Sequence, residues 1–298
     1  MGRGILMFGE DADIWVGRQF GPYNITSLLG RGTVAHVYRA GIKGGSEEVG
    51  LKILTPFAEA RAEIRELFEQ EHRLMKRLNH PNVLDVDQAG TIAGTHYMEI
   101  EIIEGRTIWQ IVQEQKRLNI TETISITKQI CMALNHVHEN NIVHRDVKPS
   151  NVMLTDNGQA ILFDFGLAHD LQGPPPPEGR VFGSPMFLAP EQALGHPVDQ
   201  RTDLYCLGAT LYRLAVGAAP FYGERKDLLH AHVNLTPPDP RDAGVPDALA
   251  SLILRSMSKN PDERFQSGNE FADELSGLGV IEPETPTKRS LIQRITRR

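Results

Sequence analysis

From Val143 to Leu154 the chain reads Val-His-Arg-Asp-Val-Lys-Pro-Ser-Asn-Val-Met-Leu, and ten residues on it reads Asp-Phe-Gly, Asp164 to Gly166. Within nineteen residues this stretch places a carboxylate at Asp146, an amine at Lys148, an amide at Asn151 and a second carboxylate at Asp164, bracketing a short apolar run. The rest of the chain has to be built around that arrangement. The inventory suits phosphoryl transfer, which needs a carboxylate to orient and deprotonate a hydroxyl, cations to neutralise the phosphoryl oxygens, and oxygen ligands for Mg²⁺. Asp146 fits the first need, Lys148 part of the second, and Asn151 with Asp164 the third.

Whole-chain quantities narrow the setting. The 298 residues, 40% apolar, are enough for a real core in one large domain or two lobes. A net charge of −7 and a pI near 5.9 argue against bulk attraction to nucleic acid or an anionic membrane. Cys131 and Cys206 sit in apolar helical patterns without metal-ligand spacing, so buried thiols in a reducing compartment are the better reading. No run reaches the roughly 18 uncharged apolar residues of a membrane span. Ile5 to Phe8 is too short for a signal core, and Leu6 stands where a myristoylation signal wants Ser or Thr. A cytoplasmic protein is expected, with a membrane tether only if the chain is part of a longer one.

The ordered His-Arg-Asp, Asn and Asp-Phe-Gly set resembles the signature of protein kinases. Upstream, Gly30-Arg31-Gly32-Thr33-Val34-Ala35-His36-Val37 reads as strand, glycine turn, strand, and is similar to the family's G-x-G-x-x-G-x-V loop with Ala35 for the third glycine. Glycines let a backbone approach phosphate oxygens and aim N–H groups at them. A GxG alone would more often be an ordinary hairpin, and Ala35 is expected to make the loop stiffer and bulkier. Val49-Gly50-Leu51-Lys52 resembles V-A-I-K, which implies that Lys52 grips the α/β-phosphates and that Gly50 leaves extra room above adenine. Helical spacing from about Glu59 to Leu78 ends at Asn79-His80-Pro81-Asn82. On the resemblance Glu71 is the partner of Lys52, with Glu69 as rival. Strands are expected over 85–89 and 95–103, with a turn at 90–94. The resemblance makes Glu101 and Ile103 the hinge residues that meet adenine, Ile100 the residue guarding the back pocket and Met153 the floor under adenine, with Leu29, Gly30, Gly32 and Val37 also binding the nucleotide. Thr107 to Gln110 has capping-box form, and residues 121–140 make a helix.

Past the catalytic stretch, Gly183-Ser184-Pro185 and Ala189-Pro190-Glu191 continue the resemblance, with Asp203 and Arg264 completing it. It implies that His144 and Phe165 pack, that Ser184 contacts Asp146 and Lys148, and that Arg264 pairs with Glu191. It also makes Arg145 the arginine that in many kinases binds a phosphorylated loop. Between Gly166 and Ser184, however, there is no Ser, Thr or Tyr. Without an acceptor hydroxyl an ordinary phosphate switch cannot operate there, so Arg145 is expected to be solvated or paired with a fixed acid such as Glu178. Pro174 to Pro177 favours a stiff polyproline II spacer over a docking motif. Lys148-Pro149 is the serine/threonine form of the loop, and Ser150, often Glu in kinases preferring basic substrates, implies weak selection for upstream arginine.

The implied fold is α+β and bilobal: a small β-rich N-lobe with one main helix (about 21–103), and a larger, mainly helical C-lobe (about 104–277). ATP with Mg²⁺, or alternatively Mn²⁺, is expected between them, Asn151 and Asp164 being the metal ligands. Residues 1–20 read as a flexible leader and 278–298 as a linker and basic tail. The last eleven residues carry five positive charges with Leu291, Ile292 and Ile295 at helical spacing; a solvated tail is favoured over a membrane-surface or partner-binding helix. The expected activity is transfer of the ATP γ-phosphoryl group to Ser/Thr hydroxyls of protein substrates, as in bacterial Hanks-type kinases, with no nucleic acid partner. Ala35, Gly50 and the acceptor-free loop lend some weight to an alternative, a pseudokinase-like nucleotide-binding scaffold. Retention of Lys52, Asp146, Asn151 and Asp164 weighs more heavily against it. A small-molecule kinase would have no use for Ala189-Pro190-Glu191 or the Ser184 element.

Overall fold

Alternating burial along the N-terminal strands gives the first unit its core. The computed structural model describes residues 14–174 and 181–279, and the chain divides into two compact units. One comprises the N-terminal residues through His72 together with Val86–Ile102; the other comprises Arg73–Asp85 and the chain from Ile103 onward.

In the first unit β1 (Gln19–Phe20), β2 (Tyr23–Arg31), β3 (Ala35–Ile42), β4 (Glu48–Leu54), β5 (Val86–Ile92) and β6 (Thr95–Ile100) form an antiparallel sheet in the order β1-β2-β3-β4-β6-β5. Tyr23 and Ile25, Tyr38 and Ala40, and Leu51 and Ile53 point to one side at period two and pack with Phe20 and Tyr97. Trp15 meets Phe20 edge-on at 4.8 Å. Both lie in what the sequence marks as leader, so the packed chain begins at least as early as Trp15; residues 1–13 lie outside the described residues. The Tyr23 hydroxyl donates to Glu99 Oε2 at 2.7 Å and accepts from Gln88 Nε2 at 3.0 Å. Burial and that carboxylate hold the phenol well above its ordinary pKa.

Two local departures from the sequence reading have physical causes. A short helix, α1 (Pro56–Glu59), precedes the one expected from about Glu59 to Leu78, which forms as α2 (Ala62–Met75). Thr55 starts the first, its hydroxyl accepting from the Ala58 N–H, with Pro56 pre-set at the first helical position. The expected turn over 90–94 shrinks to Ala93 and Gly94, both at positive φ, because β5 pairs with β6 as far as Ile92↔Thr95.

The second unit is mainly helical. A small sheet of β7 (Gly105–Thr107), β9 (Val152–Thr155) and β10 (Ala160–Leu162) runs in the order β10-β9-β7, and β8 (Ile142–Val143) pairs with β11 (His169–Asp170). Its helices are α3 (Ile108–Gln115), α4 (Ile120–Glu139), α5 (Pro190–Leu194), α6 (Gln200–Val216), α7 (Arg225–Asn234), α8 (Asp247–Ser256) and α9 (Gly268–Ser276). The Thr107 capping box forms as read: Gln110 N–H donates to the Thr107 hydroxyl and Thr107 N–H to the Gln110 amide oxygen. α4 buries Ile126, Ile130, Ala133, Leu134 and Val137 and packs against α6 and α9. The Asn79–Asn82 turn is fixed to this unit by the Asn82 amide, which donates to Gln129 and to the Ala160 carbonyl.

The expected ion pair is present and bidentate. Arg264 Nη1 and Nη2 lie 2.8 and 2.9 Å from the two Glu191 oxygens, and the arginine is 1% exposed. Its other donors reach the carbonyls of Ser258, Arg201 and Lys259, so the buried charge has no idle N–H cluster. Glu178, part of the proline run and the basic tail lie outside the described residues.

Candidate active site

The carboxylate of Asp146 is held by donors on both oxygens. Oδ2 accepts from Lys148 Nζ at 2.5 Å and Asn151 Nδ2 at 3.1 Å, and Oδ1 accepts from the Ser184 N–H at 3.0 Å. Lys148 also reaches the Ser184 hydroxyl at 2.7 Å, while Asn151 Nδ2 donates to the Asp146 carbonyl at 2.9 Å. Asp146 is 7% exposed, so this carboxylate is oriented by fixed partners rather than by water. Three of the four groups that the sequence assigns to one chemistry are thus bonded together, with Ser184 joining them.

The turn that carries them is bent by Asp203 from α6. Its two oxygens accept from the backbone N–H groups of His144 and Arg145, both at 2.8 Å, and Oδ2 also meets His138 Nε2 at 2.9 Å. Arg145 adopts φ 64, a left-handed conformation that costs a non-glycine residue energy and here is fixed by those two bonds. His144 is fully buried; its Nδ1 accepts from the Asp146 N–H and its Nε2 faces the Phe163 carbonyl, which assigns the proton to Nε2. Phe165 packs edge-on against that ring at 4.6 Å.

Asp164 is solvent-exposed at φ 65, immediately after a β10 extension in which Phe163 N–H bonds the Asn151 carbonyl. Because the Asn151 amide nitrogen is committed to Asp146, its Oδ1 is left as an oxygen donor. An amide oxygen and a carboxylate, with no cluster of three His, Cys, Asp or Glu among the described residues, fit Mg²⁺ completed by water and phosphate rather than a closed protein cage.

Arg145 is not solvated. It is 8% exposed, its Nε donates to the Leu167 carbonyl at 2.6 Å, and its guanidinium lies 5.1 Å from the Phe182 ring centre. Burial lowers its pKa, partly offset by the Asp203 charge. Gln192, which the sequence does not single out, braces the same region. Its amide donates to the Arg145 carbonyl at 2.8 Å and accepts from the Ala189 N–H. The available signal is its place directly after Ala189-Pro190-Glu191. His138 escapes notice because a histidine on an amphipathic helix has no distinguishing mark in sequence.

In the first unit Lys52 meets Glu71, at 2.6 and 2.7 Å to the two carboxylate oxygens, and not its rival Glu69. The neighbours of Lys52 that look like a strand without alternation, Leu51 and Ile53, face the core, and Lys52 takes the opposite face. Across the strands Gly30 registers with Val37, Val37 with Lys52, and Gly50 with Ile100, so these predicted residues line one region of the sheet. The expected room at Gly50 is filled: a Cβ there would lie 2.7 Å from Ile100 Cγ1. Ala35 is the buried first residue of β3, paired with Leu54. The turn proper is Gly32-Thr33-Val34, closed by Gly32 N–H to Ala35 O and held by Thr55, whose hydroxyl lies 3.1 and 3.2 Å from the Thr33 and Val34 carbonyls. Leu29 is exposed on β2, Met153 is half-buried in β9, and Glu101 and Ile103 lie in the irregular segment after β6.

Known proteins agree with this inventory. The protein kinase domain family matches residues 23–274. The chain is 34% identical over 268 residues to serine/threonine-protein kinase PknD of Mycobacterium tuberculosis, covering 88% of this chain and 40% of that protein. It is 38% identical over 262 residues to the DNA damage-responsive serine/threonine-protein kinase RqkA of Deinococcus radiodurans, covering 85% and 39%. The chain therefore spans about 40% of the length of these curated relatives. The crystal structure of the Mycobacterium tuberculosis PknI kinase domain superposes with a TM-score of 0.69 at 29% identity, covering 88% of this chain and 98% of that one. With a β-sheet unit bearing the Lys52–Glu71 pair, a helical unit bearing the Asp146 cluster, and relatives of this kind, the chain belongs to the protein kinase domain family.

Proposed function

We propose that the protein transfers the γ-phosphoryl group of ATP to Ser or Thr hydroxyls of protein substrates. The observation that carries this reading is the Asp146 carboxylate, gripped by Lys148, Asn151 and Ser184. In the reaction a substrate hydroxyl oxygen bonds to the γ-phosphorus, the bond from that phosphorus to the β–γ bridging oxygen breaks, and Asp146 receives the hydroxyl proton. Lys148, already on Asp146 and Ser184, supplies positive charge beside the transferred group. Lys52, oriented by Glu71, holds the α/β-phosphates. Asn151 Oδ1 and Asp164 would hold Mg²⁺, which would supply positive charge against the phosphates. Gly30, Gly32 and Val37 cover the nucleotide, and Glu101 and Ile103 present backbone groups to adenine, with Leu29, Gly50, Ile100 and Met153 around the ring.

Turnover is not gated by phosphorylation of the loop between Gly166 and Ser184. That segment has no acceptor hydroxyl, and Arg145 is occupied by Leu167 and Phe182. The departures that lend weight to a nucleotide-binding scaffold carry less than their sequence suggests. Ile100 fills the space at Gly50, and Ala35 is a strand residue. Incubation with labelled ATP and a generic protein substrate tests the reading: wild type should label Ser/Thr and Asp146→Asn should not. A wild type that binds nucleotide and transfers nothing would establish the scaffold instead.

A further inference from the structure

The two neighbouring glutamates of α2 go to different partners. Glu71 takes the Lys52 ammonium, while Glu69 Oε1 lies 3.5 Å from His96 Nε2. The other ring nitrogen of His96, Nδ1, is 2.8 Å from Glu59 Oε1, and the His96 backbone N–H donates to Glu59 Oε2 at 2.9 Å. The imidazole is therefore held between the last residue of α1 and the middle of α2, with its side chain 18% exposed. Arg65 closes the corner between the two helices by donating to the Glu59 carbonyl at 2.5 Å.

His96 stands two residues before Met98 on β6, and Met98 is the strand partner of Lys52. At period two, His96, Met98 and Lys52 share a face of the sheet. Glu69 and Glu71 are separated by roughly 200° around the helix axis, and a side-chain tip some 5–6 Å from that axis moves about 2 Å for a 20° roll. A roll that withdraws Glu71 from Lys52 therefore also displaces Glu69 from His96.

We propose that His96 is a positioning residue: braced by Glu59 and Glu69, it fixes the rotation of α2 on the sheet and thereby keeps Glu71 on Lys52. Its effect on turnover rests on the kinase reading, but the brace itself does not.

The test is acetylation of the Lys52 amine in the nucleotide-free protein. Initial rates are read by peptide mass spectrometry, with the exposed Lys226 as reference in the same digest. His96→Ala should raise relative labelling of Lys52 by about five-fold, the size of a coupling near 1 kcal/mol, and Glu69→Gln should raise it less. In a phosphotransfer assay His96→Ala should raise the KM for ATP, and should cost less in a Glu71→Gln background than alone, because it acts through that residue. Unchanged Lys52 labelling in folded His96→Ala overturns the proposal, whatever happens to turnover. Should that variant not fold, Glu69→Gln carries the same measurement, and unchanged labelling there overturns it equally. Because labelling needs no phosphotransfer, failure of the kinase reading would leave this result standing on its own.

Discussion

Gly50 faces Ile100 across the β4–β6 pair so closely that a methyl group at Gly50 would come within 2.7 Å of Ile100 Cγ1 and 3.2 Å of the Ile100 carbonyl oxygen. The small residue on one strand and the branched residue on the other fill one space between them. Gly50→Ala is therefore expected to destabilise the protein by about 1–3 kcal/mol through overpacking. Adding Ile100→Ala, which removes the colliding Cγ1, should recover part of that loss. Urea unfolding of the two single variants and the double variant measures this coupling.

Asp146→Asn keeps the shape of the side chain and removes its capacity to take a proton. On the proposed reaction, phosphotransfer should fall by on the order of 10²–10⁴, with ATP affinity changed far less. Steady-state rates together with calorimetric nucleotide titration separate the two effects.

Removing one member of the Glu191–Arg264 pair leaves the other buried and unpaired. Glu191→Ala should cost about 3–5 kcal/mol, seen as a lower denaturation midpoint. A nearly unchanged midpoint would mean that water reaches the guanidinium in spite of the carbonyls of Ser258, Arg201 and Lys259 around it.

Acid should weaken the fold through His232. This imidazole is fully buried against Tyr205 and Phe221, and burial pushes its pKa down to about 4. In the unfolded chain it titrates near ~6.5. Between those values the unfolded state binds more protons, so stability falls as pH drops from about 6.5 toward 4, by on the order of 2–3 kcal/mol in all. Lys259 beside it, lowered to about 8 mainly by burial, has the same sign at the other end, with stability rising from pH 8 upward. Denaturation midpoints between pH 4.5 and 7 should fall more steeply for wild type than for His232→Phe.

Peptide mapping after incubation with ATP checks the regulatory reading. No hydroxyl phosphate ester can form between Leu167 and Gly183, which hold no Ser, Thr or Tyr, and activity should be the same before and after incubation. Phosphate found on Ser184 that switches activity on would contradict it, since that hydroxyl already accepts from Lys148.

Much of the site is legible in the sequence because catalysis demands particular residue types at short spacing. Asp146, Lys148 and Asn151 fall within six residues, and their mutual bonds follow from that proximity. The Lys52–Glu71 pair can be matched to the family pattern, but the residues alone do not decide it, since Glu69 has an equal claim until β6 supplies His96 as its partner. Spaces between strands are the least legible. Nothing in the string Val-Gly-Leu-Lys says that a distant isoleucine fills the gap at the glycine, because register between β4 and β6 is set by chain far away in numbering. The short helix α1 is missed for a more local reason: its Thr55-Pro56 start signal lies ahead of the helical pattern and opens only four residues, too few to show a period.

The bond from Asp203 to the backbone of His144 and Arg145 spans 58 to 59 residues of sequence. A chain emerging from the ribosome thus displays every reacting group of the helical unit well before it possesses the carboxylate that bends their turn into shape. Until α6 has been synthesised and docked, the nascent segment holds a full set of catalytic side chains on a backbone with no reason to adopt φ 64 at Arg145. The shape of that turn therefore waits on a stretch of chain made nearly sixty residues later.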